Sequence, residues 1–472
     1  MRFSEAFGVE GRQVALDFLD IPLHTDLRFF LDPTSIKVLK SQWGQDLVYA
    51  LQDYFTEIMV SIKNNDFKKA AYLLSSLRES NAFHLGYSTK ESSGTALGEK
   101  TAEDILDSLK SSQAAKSGIL TDLEDTALTI PGIGSDRISD SVCNILKGFF
   151  IEYTKDVCIF YGIETKEVTE VKTWDKVSSK WHKKRFHLPV FEGEEIILIP
   201  KILAREEIIY SHRDLYRRHI IPEMKKELIS SGSALVKVLK GERVVTTTSI
   251  IDEYGQTKEF IESQLVKYPN TLKEYKKDLE INPPNPLAHS DFDKDEDPVI
   301  LPIKDLMKDI DLAIKNNDFS NYTKAYKKIL ISIFYPSLFY PKLISEDERC
   351  CLFLLINEAK KGFFFDFSVY NIISELIVVN VIDPQHKLNK EHIYTTLRKV
   401  EECNSKIGLI FCENPAEEKY LDRVKEISKD QGLYIFLISR NDLMEMIKEF
   451  STIGEQTFDV LRSMFKTYPG KV

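Results

Sequence analysis

Residues 350–382 read CCLFLLINEAKKGFFFDFSVYNIISELIVVNVI, and this stretch decides the fold. It holds two largely apolar runs, Cys350–Ile356 and Glu375–Ile382, each the length of a strand and the second rich in β-branched residues. Continuous apolar character means burial on both faces, as in the interior of a sheet covered by helices. Between the runs, Gly362-Phe363-Phe364-Phe365 is expected to turn the chain. Downstream, the pattern predicts a helix over Lys390–Cys403, a strand over Ile407–Phe411, a helix over Glu417–Lys429, a strand over Leu433–Ile438 and a helix over Asp442–Phe450. Two helices, 303–315 and 322–334, precede the first run. The expected fold class is α/β, with a mixed α/β N-terminal region followed by a C-terminal α/β sandwich built on a mixed central sheet.

The boundary of this unit lies at 281–302, INPPNPLAHSDFDKDEDPVILP, where five prolines and five acids predict a linker. The expected domains are therefore 1–280, mixed α/β with a basic window at 176–240, the linker 281–302, and 303–472. The acids Asp291, Asp293, Asp295, Glu296 and Asp297 approach a calcium-loop spacing. The match fails at Glu296, where glycine is needed, and at Pro302, where a bidentate Glu is needed. Upstream, Val48, Leu51, Tyr54, Phe55, Ile58, Met59 and Ile62 recur at helical spacing, and Asn64-Asn65-Asp66 breaks the pattern before a second helix through Ala70, Leu73, Leu74 and Leu77. The hexapeptide Ile-Lys-Asn-Asn-Asp-Phe occurs at Ile62–Phe67 and again at Ile314–Phe319, one helix-ending solution used twice. Pro131–Asp136 is a turn into a helix that Ser135 or Asp136 can cap, and Ile196–Ile199 is a short buried-strand candidate.

Of the 472 residues, 43% are hydrophobic and 29% charged, which is ordinary for a globular chain, and no run is long enough to span a membrane. The start, MRFSEAFGVEGRQ, has no apolar segment, so no secretory signal is expected and the expected location is cytoplasmic. The six cysteines form no CxxC pair and predict buried thiols. The net charge of −10 hides a local excess: Lys176–Lys240 holds 14 Lys/Arg against 8 Asp/Glu, with His182, His187, His212 and His219. Only local potential matters at contact distance, so a basic face on an acidic protein can still hold a polyphosphate.

The order helix, strand, Asn357–Phe364 (NEAKKGFF), strand, helix, strand, helix resembles the PD-(D/E)xK superfamily. It is similar in particular to restriction-endonuclease-like domains at the C-termini of bacterial proteins, some of them phage-defence components. The resemblance covers 303–450. It implies phosphodiester hydrolysis, in which an Asp on the first run and a Glu on the second hold Mg²⁺ and a Lys two residues on assists the attacking water. Here Leu352 or Cys351 stands at the Asp position, Asn380 at the Glu and Ile382 at the Lys, while Thr395 or Thr396 replaces a helix Gln. An amide and aliphatic groups cannot hold a hard cation against water, so no metal is expected at this degenerate site. Relocated carboxylates are the alternative, with Asp366, Glu375 and Asp383 nearby in sequence.

Two further acid and phosphate candidates lie upstream. Asp136, Asp140 and Glu195 with Lys201 could form a metal site, although each also has an ordinary reading as a helix cap, a solvated acid or a strand-end lysine. Gly94–Thr101 (GTALGEKT) misses a phosphate loop because Glu99 separates the second glycine from Lys100. Lys180-Trp181-His182-Lys183-Lys184-Arg185-Phe186-His187, followed by Arg217 and Arg218, interleaves cations for phosphates with aromatics that could stack on bases.

The expected function is a nucleic-acid-associated, restriction-endonuclease-like pseudo-nuclease in bacterial anti-phage defence, with no cleavage by the chain alone. Its nucleic-acid-binding residues would be Lys180, Lys183, Lys184, Arg185, Arg217 and Arg218. Expected partners are DNA or RNA and a protein partner or second copy, with no membrane and no cofactor. Two alternatives stay open: an active nuclease using Mg²⁺ or Mn²⁺ at the relocated or N-terminal acids, and a scaffold that binds no nucleic acid.

Overall fold

The computed structural model describes residues 1–77, 80–86, 99–175, 177–292, 303–347, 349–453 and 457–469. The N-terminal half is built on helices. α1 (Gln42–Lys63) starts where Ser41 accepts a hydrogen bond from the Gly44 amide, and buries Leu47, Leu51, Tyr54, Phe55 and Ile58. It ends as the break at Asn64-Asn65-Asp66 predicts. Asn65 takes φ +61°, and Asp66 caps α2 (Phe67–Ser75) by accepting from the Lys69 amide at 3.1 Å. The second copy of the hexapeptide does the same: Asn317 takes φ +54°, and Asp318 accepts from the Asn321 amide at 3.0 Å.

The helix after the glycine turn is two helices, α3 (Ser135–Ile145) and α4 (Lys147–Tyr161), separated at Leu146. Gly134 occupies the cap position with no side-chain bond, so neither Ser135 nor Asp136 caps it. A hairpin, β1 (Lys166–Asp175) and β2 (Lys180–Leu188), packs on α4. Ile196–Ile199 is buried as expected but joins no ladder. Its amides are satisfied singly, Ile197 by the Ala82 carbonyl and Leu198 by the Thr154 hydroxyl. Further on come α5 (Ile221–Ser230), α6 (Lys258–Lys267) and α7 (Asn270–Ile281).

The first part of the proline-rich segment is docked rather than free. His289–Phe292 is a short helix whose Phe292 packs on Phe29 and Tyr335, and the Leu287 carbonyl accepts from the Tyr335 hydroxyl at 2.8 Å. The acidic remainder, with the calcium-like positions Asp293 to Pro302, lies outside the described residues, as do Gly94–Gly98 of the phosphate-loop near miss.

The C-terminal half is α/β, as the apolar runs require. Helices α8 (Ile303–Asn316) and α9 (Phe319–Phe334) lead into β3 (Leu338–Glu346), β4 (Cys350–Asn357), α10 (Phe363–Val369), β5 (Leu376–Ile382), α11 (Lys390–Glu402), β6 (Ile407–Cys412), α12 (Glu418–Gln431), β7 (Tyr434–Ser439), α13 (Arg440–Ile453) and α14 (Asp459–Lys466). The sheet order is β7-β6-β5-β4-β3. β3, β4 and β5 form an antiparallel meander, and β5, β6 and β7 run parallel. α11 connects β5 to β6 and packs on both, and α12 connects β6 to β7 and packs on β7. α11 lies so close that a Cβ on Gly408 would sit 3.0 Å from Thr396 Cγ2 and 2.8 Å from Ile435 Cδ1.

In the C-terminal half, two elements differ from the sequence expectation. β3 is an additional edge strand, and its Pro341 is tolerated because an edge residue has a side with no ladder to supply. The residues after Gly362 form a helix, α10, rather than a simple turn.

The halves are joined by chemistry as well as by packing. Glu358, 7% exposed, accepts from the Lys40 and Ser41 amides at 2.8 Å each, so a carboxylate of the C-terminal half closes the start of α1. Each core also recruits residues from the other side, with Tyr335, Phe339 and Ile356 in the first cluster and Val14 and Ala15 in the second. Replacing Glu358 with Ala strands two amides at a helix terminus and is expected to cost about 3 kcal/mol. Urea denaturation with limited proteolysis checks this: the variant should lose stability and open between the halves first.

Candidate nucleic-acid interface and metal-site remnant

The basic hairpin owes its shape to its aromatic residues. Trp174 and Trp181 are cross-strand partners, with ring centroids 5.8 Å apart, and both pack edge-on to Tyr54 of α1. Trp181 is 9% exposed and donates to the Tyr54 hydroxyl at 3.0 Å, while Trp174 donates to Asp53 at 3.2 Å. This corrects the expectation of stacking: Trp181 anchors the hairpin and offers no face to a base. Phe186 is half-buried, with the Lys155 ammonium over its ring.

What the hairpin presents is charge. Lys180, Lys183, Lys184 and Arg185 are all exposed on β2. Two of them pair across the strands, Lys183 with Glu170 and Arg185 with Glu167 at 3.3 Å. Such exposed pairs are worth at most about 1 kcal/mol, so a phosphate can displace the carboxylates. Arg217 and Arg218, also exposed, sit on a π-helical turn (Tyr216–Ile220) that packs against α6 and α7, whereas the hairpin packs on α3 and α4. Arg218 is paired with Asp214 at 3.2 Å.

The three positions that the sequence resemblance compares with nuclease ligands come together in the C-terminal sheet. Leu352 on β4 lies directly opposite Asn380 on β5, and Cys350 lies opposite Ile382. All are interior: Leu352 is 4% exposed, Asn380 0% and Ile382 1%. The Asn380 amide donates to the Thr396 hydroxyl of α11 at 2.9 Å, and that hydroxyl donates to the His392 carbonyl. Asn380 Oδ1 accepts nothing within the described residues. Packed side chains fill the space where ligands and water would stand.

The relocated acids are engaged elsewhere. Asp366 on α10 pairs with Arg462 of α14 at 2.6 Å. Glu375 is exposed just before β5, and its carbonyl accepts from the Asn357 amide. Asp383 is buried at the far end of β5, where it accepts from the Gln385 amide at 2.7 Å.

Of the N-terminal set, Asp136 is exposed near Gly86 and Asp26. Asp140 is half-buried on α3, and Glu195 acts on the Lys147 ammonium. Lys201 is not a strand-end cation beside those acids. It is 1% exposed and donates to the carbonyls of Gln13 and Val14 at 3.2 Å, with His289 Nδ1 at 3.5 Å. Burial, reinforced by Lys201, pushes the His289 pKa well down, so its ring is neutral and Nε2–H bonds the Ser332 carbonyl. Among the described residues no three His, Cys, Asp or Glu converge as a metal-ligand set.

Sequence reading missed a buried charge network. Lys37 bonds Asp122 at 2.8 Å and Glu124 at 2.5 Å, and Lys276 bonds Asp122 and Asp125 at 2.6 Å each. The acid run Asp122–Asp125 is visible locally, but its lysines lie far away in the chain.

No helix of the described residues is long and apolar enough to cross a membrane. No curated protein and no solved structure matches the chain. Residues 8–211, less than half of the chain, match the profile of a domain of unknown function, DUF8370, which takes in the basic hairpin and stops short of Arg217 and of the C-terminal sheet.

Proposed function

We propose that this chain holds nucleic acid by its phosphates on the basic hairpin, and that its C-terminal sheet is a restriction-endonuclease-like unit retained for binding or assembly rather than for cutting. The setting we infer from the sequence resemblance is bacterial anti-phage defence. One observation carries the reading: the positions that a nuclease of this kind would give to its ligands and assisting lysine, Leu352, Asn380 and Ile382, lie on paired strands and are sealed in the core. The order of α9, an antiparallel meander, α11 and parallel β6 supports the resemblance. The exposed cations beside an aromatic pair packed inward on Tyr54 support backbone contact without base stacking, hence affinity with little sequence preference.

Charge reversal of Lys183, Lys184 and Arg185 together is expected to weaken duplex or single-strand binding at least about tenfold at low salt and to flatten the salt dependence by about two to three in log–log slope. Fluorescence anisotropy across a salt series measures both. Unchanged affinity and slope would remove the hairpin from the reading and favour the scaffold alternative.

A further inference from the structure

Three lysines are buried among the described residues, and the structure treats them differently. Lys147 donates to the Ser80 hydroxyl at 3.2 Å and Lys201 to two carbonyls. Lys327 on α9 is 3% exposed, yet among the described residues no group accepts a hydrogen bond from its ammonium. Its nearest acid is Asp17 at 4.0 Å, too far for a bond, and it lies 4.1 Å over the Phe160 ring. Asp17 is itself 6% exposed; the Tyr153 and Tyr161 hydroxyls lie near its carboxylate, but neither oxygen accepts a hydrogen bond of good geometry among the described residues. Enclosing both charges costs several kcal/mol, which a purely structural pair recovers by closing to hydrogen-bond distance. This pair is held open.

It opens onto a cleft of about 390 Å³ between α4, α9 and β3, which Lys324 also lines. The other acids there are occupied. Asp156 accepts from the Tyr340 hydroxyl at 2.6 Å and from Lys342 at 2.8 Å, and Glu346 accepts from Thr323 at 3.2 Å. The vacant donor in the cleft is the Lys327 ammonium, with Asp17 behind it as a fixed counter-charge, and Phe160, Pro341 and Leu343 wall the space.

We propose that this cleft is a binding site for a small molecule carrying an oxyanion, a carboxylate or a phosphate, which takes the Lys327 ammonium as its principal contact and Lys324 as its second. The volume suits a compact metabolite, and the site is independent of the hairpin.

The test is thermal unfolding of the full chain with millimolar inorganic phosphate or malonate against chloride of equal ionic strength, followed by titration of whichever protects. Protection by phosphate alone assigns a phosphoryl group, and protection by malonate a carboxylate. Protection should persist in the chain reversed at Lys183, Lys184 and Arg185. Lys327→Met should weaken the apparent Kd at least about tenfold and Lys324→Met less, while Asp17→Asn should retain or tighten binding. If Lys327→Met does not fold, Lys324→Met decides by its loss. Protection by neither anion, or equal protection of the lysine variants, overturns the proposal.

Discussion

Asn380→Glu, which places an acid where the sequence resemblance would have one, is expected to destabilise the chain by about 3–5 kcal/mol rather than to create a metal site. The position is fully enclosed in the central strand of five, with Leu352 opposite and Val378 and Ile382 beside it on the same face. A carboxylate there faces a hydroxyl already committed to the His392 carbonyl. It must either ionise without a counter-charge or stay protonated over the whole neutral range. Asn380→Leu is the control. It deletes an amide oxygen that already accepts nothing and one bond to Thr396, so its cost is expected to stay within about 1 kcal/mol. Urea unfolding with and without Mg²⁺ separates the outcomes. A Glu variant as stable as the parent, or one that Mg²⁺ rescues, means that the position is hydrated and the reading of a sealed site is wrong.

Lys37→Met is expected to have an effect of similar size, about 3–5 kcal/mol, because it takes the cation from Glu124, whose carboxyl burial pushes up to about 7 even with Lys37 beside it. Glu124, 3% exposed, loses its cation outright, and Asp122 keeps only Lys276. The pH dependence adds a signature. Burial pushes the Asp122 carboxyl up, but the Lys37 and Lys276 ammoniums outweigh it and hold the pKa at about 2. A carboxyl depressed in the fold gives stability that is complete above its unfolded pKa and is lost as pH falls through the folded value. The parent chain should therefore give up this contribution between about pH 4 and pH 2. Without Lys37 the loss should begin at higher pH. Acid unfolding followed by circular dichroism measures the shift, and superimposable curves for the two chains would count against the network.

Local pattern made much of this fold legible, and distance hid the rest. Cys350–Ile356 and Ile377–Ile382 could be read as strands because apolar runs of that length have few other homes, and their register then put Asn380 opposite Leu352. The repeated Asn-Asn-Asp is a local device, a left-handed turn and a cap, so it could be read twice over. β3 was not legible, since Pro336 and Pro341 interrupt a run whose place at the sheet edge is a property of the sheet. Glu358 offered no sign of its task, because its partners at Lys40 and Ser41 are more than three hundred residues away. Trp181 and Lys201 show the same limit from the other side. Interleaved aromatics and a lysine after a strand suggest a surface, and only the packing of Tyr54, Gln13 and Val14 around them makes them interior.

The central claim is that the paired strands around Asn380 cannot hold a divalent ion where phosphate would be cut. Titration of the full chain with Mn²⁺ in the presence of duplex DNA, followed by paramagnetic resonance and by strand integrity, tests it most directly. Intact DNA and no saturable Mn²⁺ site in the C-terminal sheet are expected. A saturable ion whose binding and strand cleavage are both lost on Asp383→Ala or Glu375→Ala would contradict it.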